Sequence, residues 1–406
     1  MKFIKSLYCR GVQTLFYAAI PFLPYRSPKL FGSVSQLVRF LCAENISSVL
    51  LVTDKQLREM GVTAELEDRL RERGVSCIIY DGTCSNPTTE NVEQAFELYI
   101  KNGCQCLIGF GGGSSIDCAK AVGARVAYPD RPLGKLKGTL RVLRKLPPLA
   151  AIPTTAGTGS EVTLAAVITD SETRHKYTIN SFPLIPSFAV LDPKVTFSLP
   201  PHLTASTGMD ALTHAVEAYI GRSTTGQTRS EALEATALIF ANLQRAYCDG
   251  CDRTARENML KAAYLAGDAF SKSYVGYIHA VAHSLGGQYN IPHGLANAVL
   301  LPIVLEMYGG VIYKKLYRLS VAAGLCEKWV SYRTGALAFI AAVRLLNKSM
   351  NIPKKLSGIK KEDIPMMASH ADKEANPLYP VPRLMNAKEL ERIYYRVSAG
   401  EPDISE

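Results

Sequence analysis

From about residue 30, short β-branched apolar runs alternate with longer stretches in which apolar residues recur at helical spacing. The run SSVLLVTD (47–54) precedes a charged helical stretch from Lys55 to Arg73, and VSCIIYDG (75–82) follows it. A helical pattern then covers 88–103, before the apolar run CQCLIGF (104–110). This alternation predicts a parallel β-sheet covered by helices. Because ligands bind beyond the carboxyl ends of such strands, the residues that follow each run are the first candidates for a site.

The pattern changes after AVLDPKVTFSLPP (189–201). Long Ala- and Leu-rich stretches follow, such as SEALEATALIFANLQRAY (230–247) and GALAFIAAVRLLNKSM (335–350), and their periodicity predicts helices. The Pro200-Pro201 pair is a plausible boundary between the two halves. A chain of 406 residues is also longer than one ordinary core. We therefore expect an α/β domain followed by an all-helical domain.

The composition is that of a folded protein, and its net charge is compatible with several classes of binding partner. Hydrophobic residues make up 47% of the chain and charged residues 20%, which excludes a disordered protein. The formal charge of +10 is compatible with nucleic acid, an anionic membrane or an acidic cofactor. The densest basic stretch, Arg131 to Lys145, lacks the interleaved aromatic residues of a single-strand groove. We interpret it as a solvated surface and expect no nucleic-acid partner.

The ten cysteines are scattered through core-like segments and form no disulfide framework. That distribution is typical of a protein in a reducing compartment, so we predict a cytoplasmic location. Cys248 and Cys251 form a CxxC pair, but a structural zinc site needs a second pair, and none is placed to serve.

The first 25 residues begin with positive charge and continue into an apolar run from Val12 to Leu23. The run is short, is interrupted by Pro21 and lacks a small-residue cleavage site, which argues against a signal peptide. It is also too short to cross a bilayer. We interpret residues 1–25 as a helical extension packed on the body of the protein, with membrane-surface contact as the alternative.

A glycine cluster follows the apolar run 104–110 directly. Gly111 to Gly113 are followed by Ser114 and by a helical pattern. A strand, a glycine turn and a helix N-terminus together form an anion site, since the amides and the helix dipole attract negative charge. We expect the site to hold a pyrophosphate. The spacing is not GxGxxG, because position 116 is Ile, so an ordinary tight turn is the alternative.

Two other predicted strands end in polar residues. Asp54 follows the run VLLVT, where a carboxylate can accept hydrogen bonds from ribose hydroxyls and repel a 2′-phosphate. A helix N-cap for the stretch from Lys55 explains Asp54 equally well. The stretch IPTTAGTGSEVT (152–163) places several hydroxyl side chains around two glycines. We interpret it as a ligand-contacting turn, with a capped loop as the alternative.

Four of the seven histidines occur at helical or turn spacing together with an aspartate. Asp210 and His214 are four residues apart, as are His279 and His283. We expect Gly286-Gly287 to end the second helix, so that His293 returns toward it. One carboxylate and several imidazoles suit a single divalent ion such as Fe(II) or Zn(II). Spacing alone gives five candidates for at most four ligand positions.

From about Ser27 to the C-terminus, the chain resembles the iron-containing (group III) alcohol dehydrogenase family. Nine segments in the family order carry the resemblance: VTDK, YDGTCSNPT, GFGGGSSIDCAKA, PTTAGTGSEVT, LDP, TGMDALTHAVEAY, HAVAHSLGG, PHGLANAVLLP and NPLYPVP. The resemblance implies a dehydroquinate synthase-like fold. Its parts would be an extension over 1–25, an NAD-binding α/β domain over 26–199 and an all-helical metal-binding domain over 200–406.

The resemblance also assigns residues. The metal ligands would be Asp210, His214, His279 and His293. His283 would lie beside the nicotinamide and assist proton transfer, and Asp54 matches the acidic residue associated with a preference for NAD. The other cofactor-contact positions would be Asn86, Gly112, Gly113, Ser114, Asp117, Thr154, Thr155, Thr158 and Lys176.

The implied activity is reversible hydride transfer between a small or primary alcohol or diol and NAD. The metal, Fe(II) or alternatively Zn(II), would polarise the substrate oxygen. The alternatives are a glycerol, polyol or polyol-phosphate dehydrogenase or a hydroxyacid–oxoacid transhydrogenase of the same superfamily. A non-catalytic scaffold at a membrane surface is the alternative from another class. Dimers are usual in the family, so we expect a homodimer.

Overall fold

The computed structural model describes residues 3–173 and 175–398. The α-helices are α1 Phe3–Ala19, α2 Val34–Ala43, α3 Lys55–Glu59, α4 Ala64–Glu72, α5 Thr89–Lys101, α6 Gly113–Ala127, α7 Pro201–Ile220, α8 Gly226–Cys248, α9 Arg253–Ser273, α10 Tyr277–Tyr289, α11 His293–Tyr308, α12 Tyr313–Ala322, α13 Tyr332–Ser349, α14 Ile364–Ala375 and α15 Ala387–Val397. The strands are β1 Lys29–Phe31, β2 Ser48–Val52, β3 Ser76–Tyr80, β4 Cys106–Gly111, β5 Gly138–Thr139, β6 Leu149–Pro153, β7 Ala165–Thr169, β8 Lys176–Asn180 and β9 Phe188–Val190.

The chain divides into two compact units. The α/β unit comprises residues 24–199 and 250–267. The helical unit comprises residues up to 23, 200–249 and those from 268 onward. Helix α7 begins at Pro201, directly after Pro200, which is the N-cap of the helix.

The α/β unit contains a six-stranded sheet with the order β1-β9-β6-β4-β2-β3, and every strand pair in it is parallel. Neighbouring residues of one strand enter different cores: Leu50 belongs to one apolar cluster and Leu51 to another. Such burial on both faces explains why the strands read as continuous apolar runs. A second sheet has the order β5-β8-β7. The predicted parallel sheet is confirmed.

The helical stretch predicted from Lys55 to Arg73 is two helices, α3 and α4. Gly61 between them has a φ of +72°, a left-handed conformation that ends α3. Asp54 lies at the start of α3 as its N-cap, and its Oδ1 accepts a hydrogen bond of 2.9 Å from the Leu57 amide.

In the helical unit, α10 is longer than predicted. Gly286 and Gly287 do not end it; the helix continues to Tyr289 and ends at Asn290, whose φ of 54° is left-handed. Glycine inside a helix costs only about 1 kcal/mol, whereas asparagine takes the left-handed cap position readily. The expected helix end was therefore wrong by one turn, and only three residues, 290–292, separate α10 from α11.

Helix α1 is attached to the helical unit through polar contacts. The Gln13 Nε2 donates to the carbonyl oxygen of Tyr379 at 2.8 Å, and Arg10 donates to the carbonyl oxygens of Val381 and Pro382 at 2.7 and 3.1 Å. The Phe16 ring packs edge-on against Tyr274 with 4.9 Å between the ring centroids. The N-terminal extension is thus helical and packed on the body.

One helical stretch in the described part of the chain, His293–Ala322, is long and apolar enough to cross a membrane, with a mean hydropathy of 1.8. In its most apolar window, 61% is buried inside the protein. Buried core helices commonly have this composition, so the stretch is weak evidence for a membrane span.

Candidate functional site

Three side chains from three helices of the helical unit converge on one point. Asp210 comes from the middle of α7, His279 from the first turn of α10 and His293 from the first residue of α11. One ligand atom from each lies within 4.8 Å of the others. The Asp210 Oδ1 is 3.9 Å from His279 Nε2 and 3.5 Å from His293 Nε2. Within the described residues, no other group of three or more His, Cys, Asp or Glu side chains converges in this way.

The amide of Asn297 occupies the centre of this group. Its Nδ2 lies 2.7 Å from Asp210 Oδ1, 3.1 Å from His293 Nε2 and 3.3 Å from His279 Nε2. One carboxylate oxygen and two imidazole nitrogens therefore surround one point closely enough for a single cation to reach all three. One carboxylate oxygen and two imidazole nitrogens form a donor set suited to a divalent transition metal.

His214 lies next to this group but not within it. Its ring stacks on His279 with 4.6 Å between centroids and an interplanar angle of 19°. Its other neighbour is Phe270, at 4.0 Å and 13°. The helical spacing from Asp210 places His214 on the same face of α7.

A buried carboxylate orients His279. The Glu217 Oε2 lies 2.6 Å from His279 Nδ1, and the same carboxylate accepts hydrogen bonds from the amides of Gly276 and Ile278 at 2.7 and 2.9 Å. Burial raises the pKa of Glu217 to about 7. The pKa of His279 is lowered, first by burial and then by the neighbouring histidines, so its imidazole is neutral, as a metal ligand must be.

His283 has a carboxylate partner of its own. Its Nδ1 lies 2.6 Å from Glu374 Oε1, which also accepts a hydrogen bond of 2.7 Å from the Tyr379 hydroxyl. The His283 ring stacks on His293 at 5.2 Å. Desolvation opposes the charge on His283, but the attraction and hydrogen bond of Glu374 outweigh it and raise the pKa of His283.

In the α/β unit, the predicted glycine turn joins β4 to α6. Gly112 is the N-cap of α6, and an added Cβ at Gly113 would lie 3.0 Å from the Thr158 side chain. A Cβ at Gly112 would meet Thr155 at 3.6 Å. The structure therefore brings Gly112, Gly113, Thr155 and Thr158 together at the helix N-terminus, where amides and dipole favour an anion.

Neighbouring loops carry further predicted residues. The Ser114 Oγ donates a hydrogen bond of 2.8 Å to the carbonyl oxygen of Ser85. The exposed Asn86 is the next residue after Ser85 in the sequence. The Thr154 amide donates to the Gly111 carbonyl at 2.9 Å. Lys176 is the first residue of β8, and desolvation lowers its pKa.

Asp117 and Lys120 of α6 anchor the hydroxyl-rich loop. The Asp117 carboxylate contacts the Ser160 hydroxyl and accepts a hydrogen bond of 3.0 Å from the Val167 amide. The Lys120 Nζ is fully buried and donates to Ser160 Oγ and to both Thr163 oxygens at 2.9–3.2 Å. Burial lowers the pKa of Lys120 to about 8. Asp117, a residue of α6, thus holds the hydroxyl-rich loop against that helix.

Sequence reasoning missed four residues of these sites: Glu217, Asn297, Glu374 and Lys120. Two of them carry a helical signal. Glu217 is seven residues after Asp210, and Asn297 is four after His293, so each shares a helix face with a predicted ligand. Lys120 follows the predicted Asp117 by three residues. Glu374 lies 91 residues from His283, and no local pattern connects the two.

Known proteins resemble the chain over nearly its whole length. Residues 30–193 match the family described as "Iron-containing alcohol dehydrogenase", and 204–398 match "Fe-containing alcohol dehydrogenase family, C-terminal". The 1,3-propanediol dehydrogenase of Citrobacter freundii is 38% identical over 94% of this chain and 98% of its own length. The lactaldehyde reductase of Escherichia coli K12 is 36% identical over 84% and 89%.

Solved structures agree. A 1,3-propanediol oxidoreductase superposes with a TM-score of 0.88 at 37% identity, covering 92% of this chain and 99% of that one. An alcohol dehydrogenase from Oenococcus oeni gives a TM-score of 0.86 at 34% identity, covering 92% and 100%.

Proposed function

The chain belongs to the iron-containing alcohol dehydrogenase family, and from that membership we propose how its own residues carry out the reaction. It is a metal-dependent, NAD-linked oxidoreductase that interconverts alcohols and the corresponding carbonyl compounds. The finer substrate class that we propose is small primary alcohols and diols, because relatives named for 1,3-propanediol and lactaldehyde are similar along most of the chain.

We propose Asp210, His279 and His293 as metal ligands, with His214 as the fourth. The convergence of three ligand atoms on the Asn297 amide is the observation that carries this assignment. Fe(II) is the proposed metal and Zn(II) the alternative, because imidazole and carboxylate ligands suit both. When bound, such an ion supplies a Lewis acid that polarises the substrate oxygen.

His283 is the proposed proton carrier. Glu374 holds its Nδ1, so Nε2 is the nitrogen left for proton exchange. In alcohol oxidation, His283 would accept the hydroxyl proton; NAD, when bound, would supply the hydride acceptor. In the reverse direction His283 returns the proton to the carbonyl oxygen. Glu374 raises the pKa of His283, which favours the protonated form that acts as the acid in the reverse direction.

For NAD, we propose that the N-terminus of α6 binds the pyrophosphate and that the hydroxyl-rich loop borders it. Asp54 would accept hydrogen bonds from the ribose through the carboxylate oxygen that does not cap α3. The remaining proposed contacts are Asn86, Gly112, Gly113, Ser114, Asp117, Thr154, Thr155, Thr158 and Lys176. Asp117 acts in this proposal by holding the loop.

The proposal also covers the domain boundaries, the oligomeric state and the cellular compartment. We propose an extension over 1–25, an NAD-binding domain over 26–199 and a metal-binding domain over 200–406. A cytoplasmic homodimer is the proposed working form. All ten cysteines are free in the structure, which supports a reducing compartment.

Metal analysis and an alcohol panel test the proposal. Protein purified without added metal should contain close to one Fe or Zn per chain, and NADH absorbance should rise with ethanol, 1-propanol, 1,2-propanediol or 1,3-propanediol. A metal-free protein, or no turnover after reconstitution with Fe(II) and Zn(II), would contradict it. Transfer from a hydroxyacid to an oxoacid without added NAD would instead identify a transhydrogenase.

A further inference from the structure

Helix α1 has two different faces. The face toward the helical unit contains the buried Cys9 and Gln13. On the opposite face, large apolar side chains are exposed: Ile4 is 80% exposed and Leu15 74%, and Leu7 and Tyr8 are also exposed. Phe22, just after the helix, is 87% exposed. We call Ile4, Leu7, Tyr8, Leu15 and Phe22 the outer stripe.

The outer stripe contains no charged side chain. Positions 4, 7, 8 and 15 follow helical spacing, and positions 11, 14 and 18 on the same face are Gly, Thr and Ala. A surface helix of a soluble domain normally turns its apolar stripe inward and its polar residues outward. In α1 large apolar side chains lie outward as well, while the buried side combines Cys9 and Phe16 with Gln13 and its hydrogen bonds. A contiguous exposed apolar strip of this kind marks an interaction surface.

The protein holds the stripe in a fixed orientation. Arg10 and Gln13 bind backbone carbonyls of the segment 377–382, and Lys5 pairs with Asp372 of α14 at 2.9 Å. These contacts occupy the polar side chains of the helix on its inner and lateral sides. The outer stripe is therefore held facing away from the helical unit.

The surroundings of α1 in the helical unit are cationic. The pKa of Arg10 is lowered, first by burial and then by the nearby Arg222. In sequence, no Asp or Glu precedes Glu44. Two acidic side chains of the helical unit are paired: Asp372 with Lys5, and Glu389 with Arg383.

We propose that the outer stripe docks on the surface of a bilayer that contains anionic lipids. A single helix with an apolar outward face and cations around it lies in the headgroup boundary with its apolar side chains inserted. Each nearby Lys or Arg is attracted to the negative surface potential of such a leaflet. The chain as a whole, at +10, has the same complementarity.

Charge also argues against a second copy as the occupant. A two-fold contact through the outer stripe would bring the same cationic surroundings together from both copies, and like charges across an interface repel. Anionic headgroups neutralise those cations instead. No residue of the metal or nucleotide sites takes part, so the proposal is independent of the proposed function.

Vesicle flotation of the full-length protein tests the proposal. Vesicles of phosphatidylcholine alone are compared with vesicles that also contain phosphatidylserine, at low and high salt. The wild type should float with the anionic vesicles at least about tenfold more than with the neutral ones, and salt should weaken the binding. The double variant Leu7→Ser/Leu15→Ser should lose that flotation.

The matched control is Leu337→Ser/Leu345→Ser on α13, which changes two exposed leucines of the same unit. It should float like the wild type, and both double variants should keep the wild-type unfolding temperature and alcohol oxidation rate. Absence of wild-type flotation, or equal flotation of the Leu7→Ser/Leu15→Ser variant, would overturn the proposal. A change from dimer to monomer in that variant, without lipid binding by the wild type, would assign the stripe to a second copy.

Discussion

The Glu217 Oε2 atom lies 2.6 Å from His279 Nδ1, and both side chains are buried. When Glu217 is ionised, its carboxylate accepts the hydrogen bond of Nδ1–H, which leaves the Nε2 lone pair toward Asp210 and His293. Two backbone amides from the start of α10 also donate to this carboxylate: Gly276 to the same Oε2 and Ile278 to Oε1. Glu217 therefore fixes both the tautomer and the direction of a proposed metal ligand, a role that carboxylates commonly have behind zinc- and iron-bound histidines.

Glu217→Gln should weaken metal binding by about 10- to 100-fold, because the amide cannot hold the imidazole proton as the carboxylate does. Competition between the metal-free protein and a chelator measures the dissociation constant directly, without reliance on turnover. Glu374→Gln is the control, since that carboxylate binds His283 and none of the proposed ligands, and His279→Ala gives the limit in which metal is lost. An unchanged metal dissociation constant in Glu217→Gln would show that Glu217 does not orient His279 for metal binding.

His283→Ala should keep the metal and lower kcat by about 10²- to 10⁴-fold, the usual contribution of general acid–base catalysis. Metal content and steady-state rates check both parts. Loss of metal in this variant would instead make His283 a ligand.

Glu374→Gln should change the pH profile of alcohol oxidation. Neutral His283 accepts the proton, and Glu374 raises its pKa, so in the wild type the protonated form persists to higher pH. Removing the carboxylate charge should lower that pKa and move the acidic limb of kcat to lower pH by about one unit or more. An acidic limb of kcat that stays in place, or moves to higher pH, would contradict the pairing of Glu374 with His283.

Asp54→Asn should reduce the preference for NAD over NADP. Asparagine preserves the N-cap of α3, which the Asp54 side chain provides, and removes only the negative charge that repels a 2′-phosphate. The ratio of kcat/KM for the two cofactors should fall by about tenfold or more, equivalent to about 1.4 kcal/mol. Glu59→Gln on the same helix is the control. An unchanged ratio of kcat/KM values in Asp54→Asn would show that Asp54 only caps α3 and does not select the cofactor.

Lys120→Met should destabilise the protein by about 3–5 kcal/mol, because it leaves Asp117 buried without its cation and removes the donor to Ser160 and Thr163. Thermal unfolding and NADH titration are the measurements, and weaker NADH binding should accompany the loss of stability. Lys101→Met, at an exposed position of α5, is the control. Wild-type stability and NADH affinity together would show that Lys120 does not hold the loop.

The sequence predicted those parts of the fold and the candidate site that follow a local period. Strand–helix alternation anticipated the parallel sheet. The i, i+4 spacing paired Asp210 with His214 and His279 with His283, whereas the structure brings together Asp210, His279 and His293. Spacing within one helix cannot show which helices meet, and only the family resemblance linked these three residues. Glu374 was missed because its relation to His283 depends on the packing of α14 against α10. The end of α10 was mispredicted because a glycine pair is a weaker stop than one left-handed asparagine.

The three-residue connection 290–292 acts as a spacer of fixed length between two proposed ligands. His279 and His293 lie on successive helices, and α11 begins at the ligand itself. One inserted residue would rotate the start of α11 by about 100° if the added residue extended either helix. The imidazole of His293 would then swing away from Asp210, so this loop tolerates changes of side chain far better than changes of length.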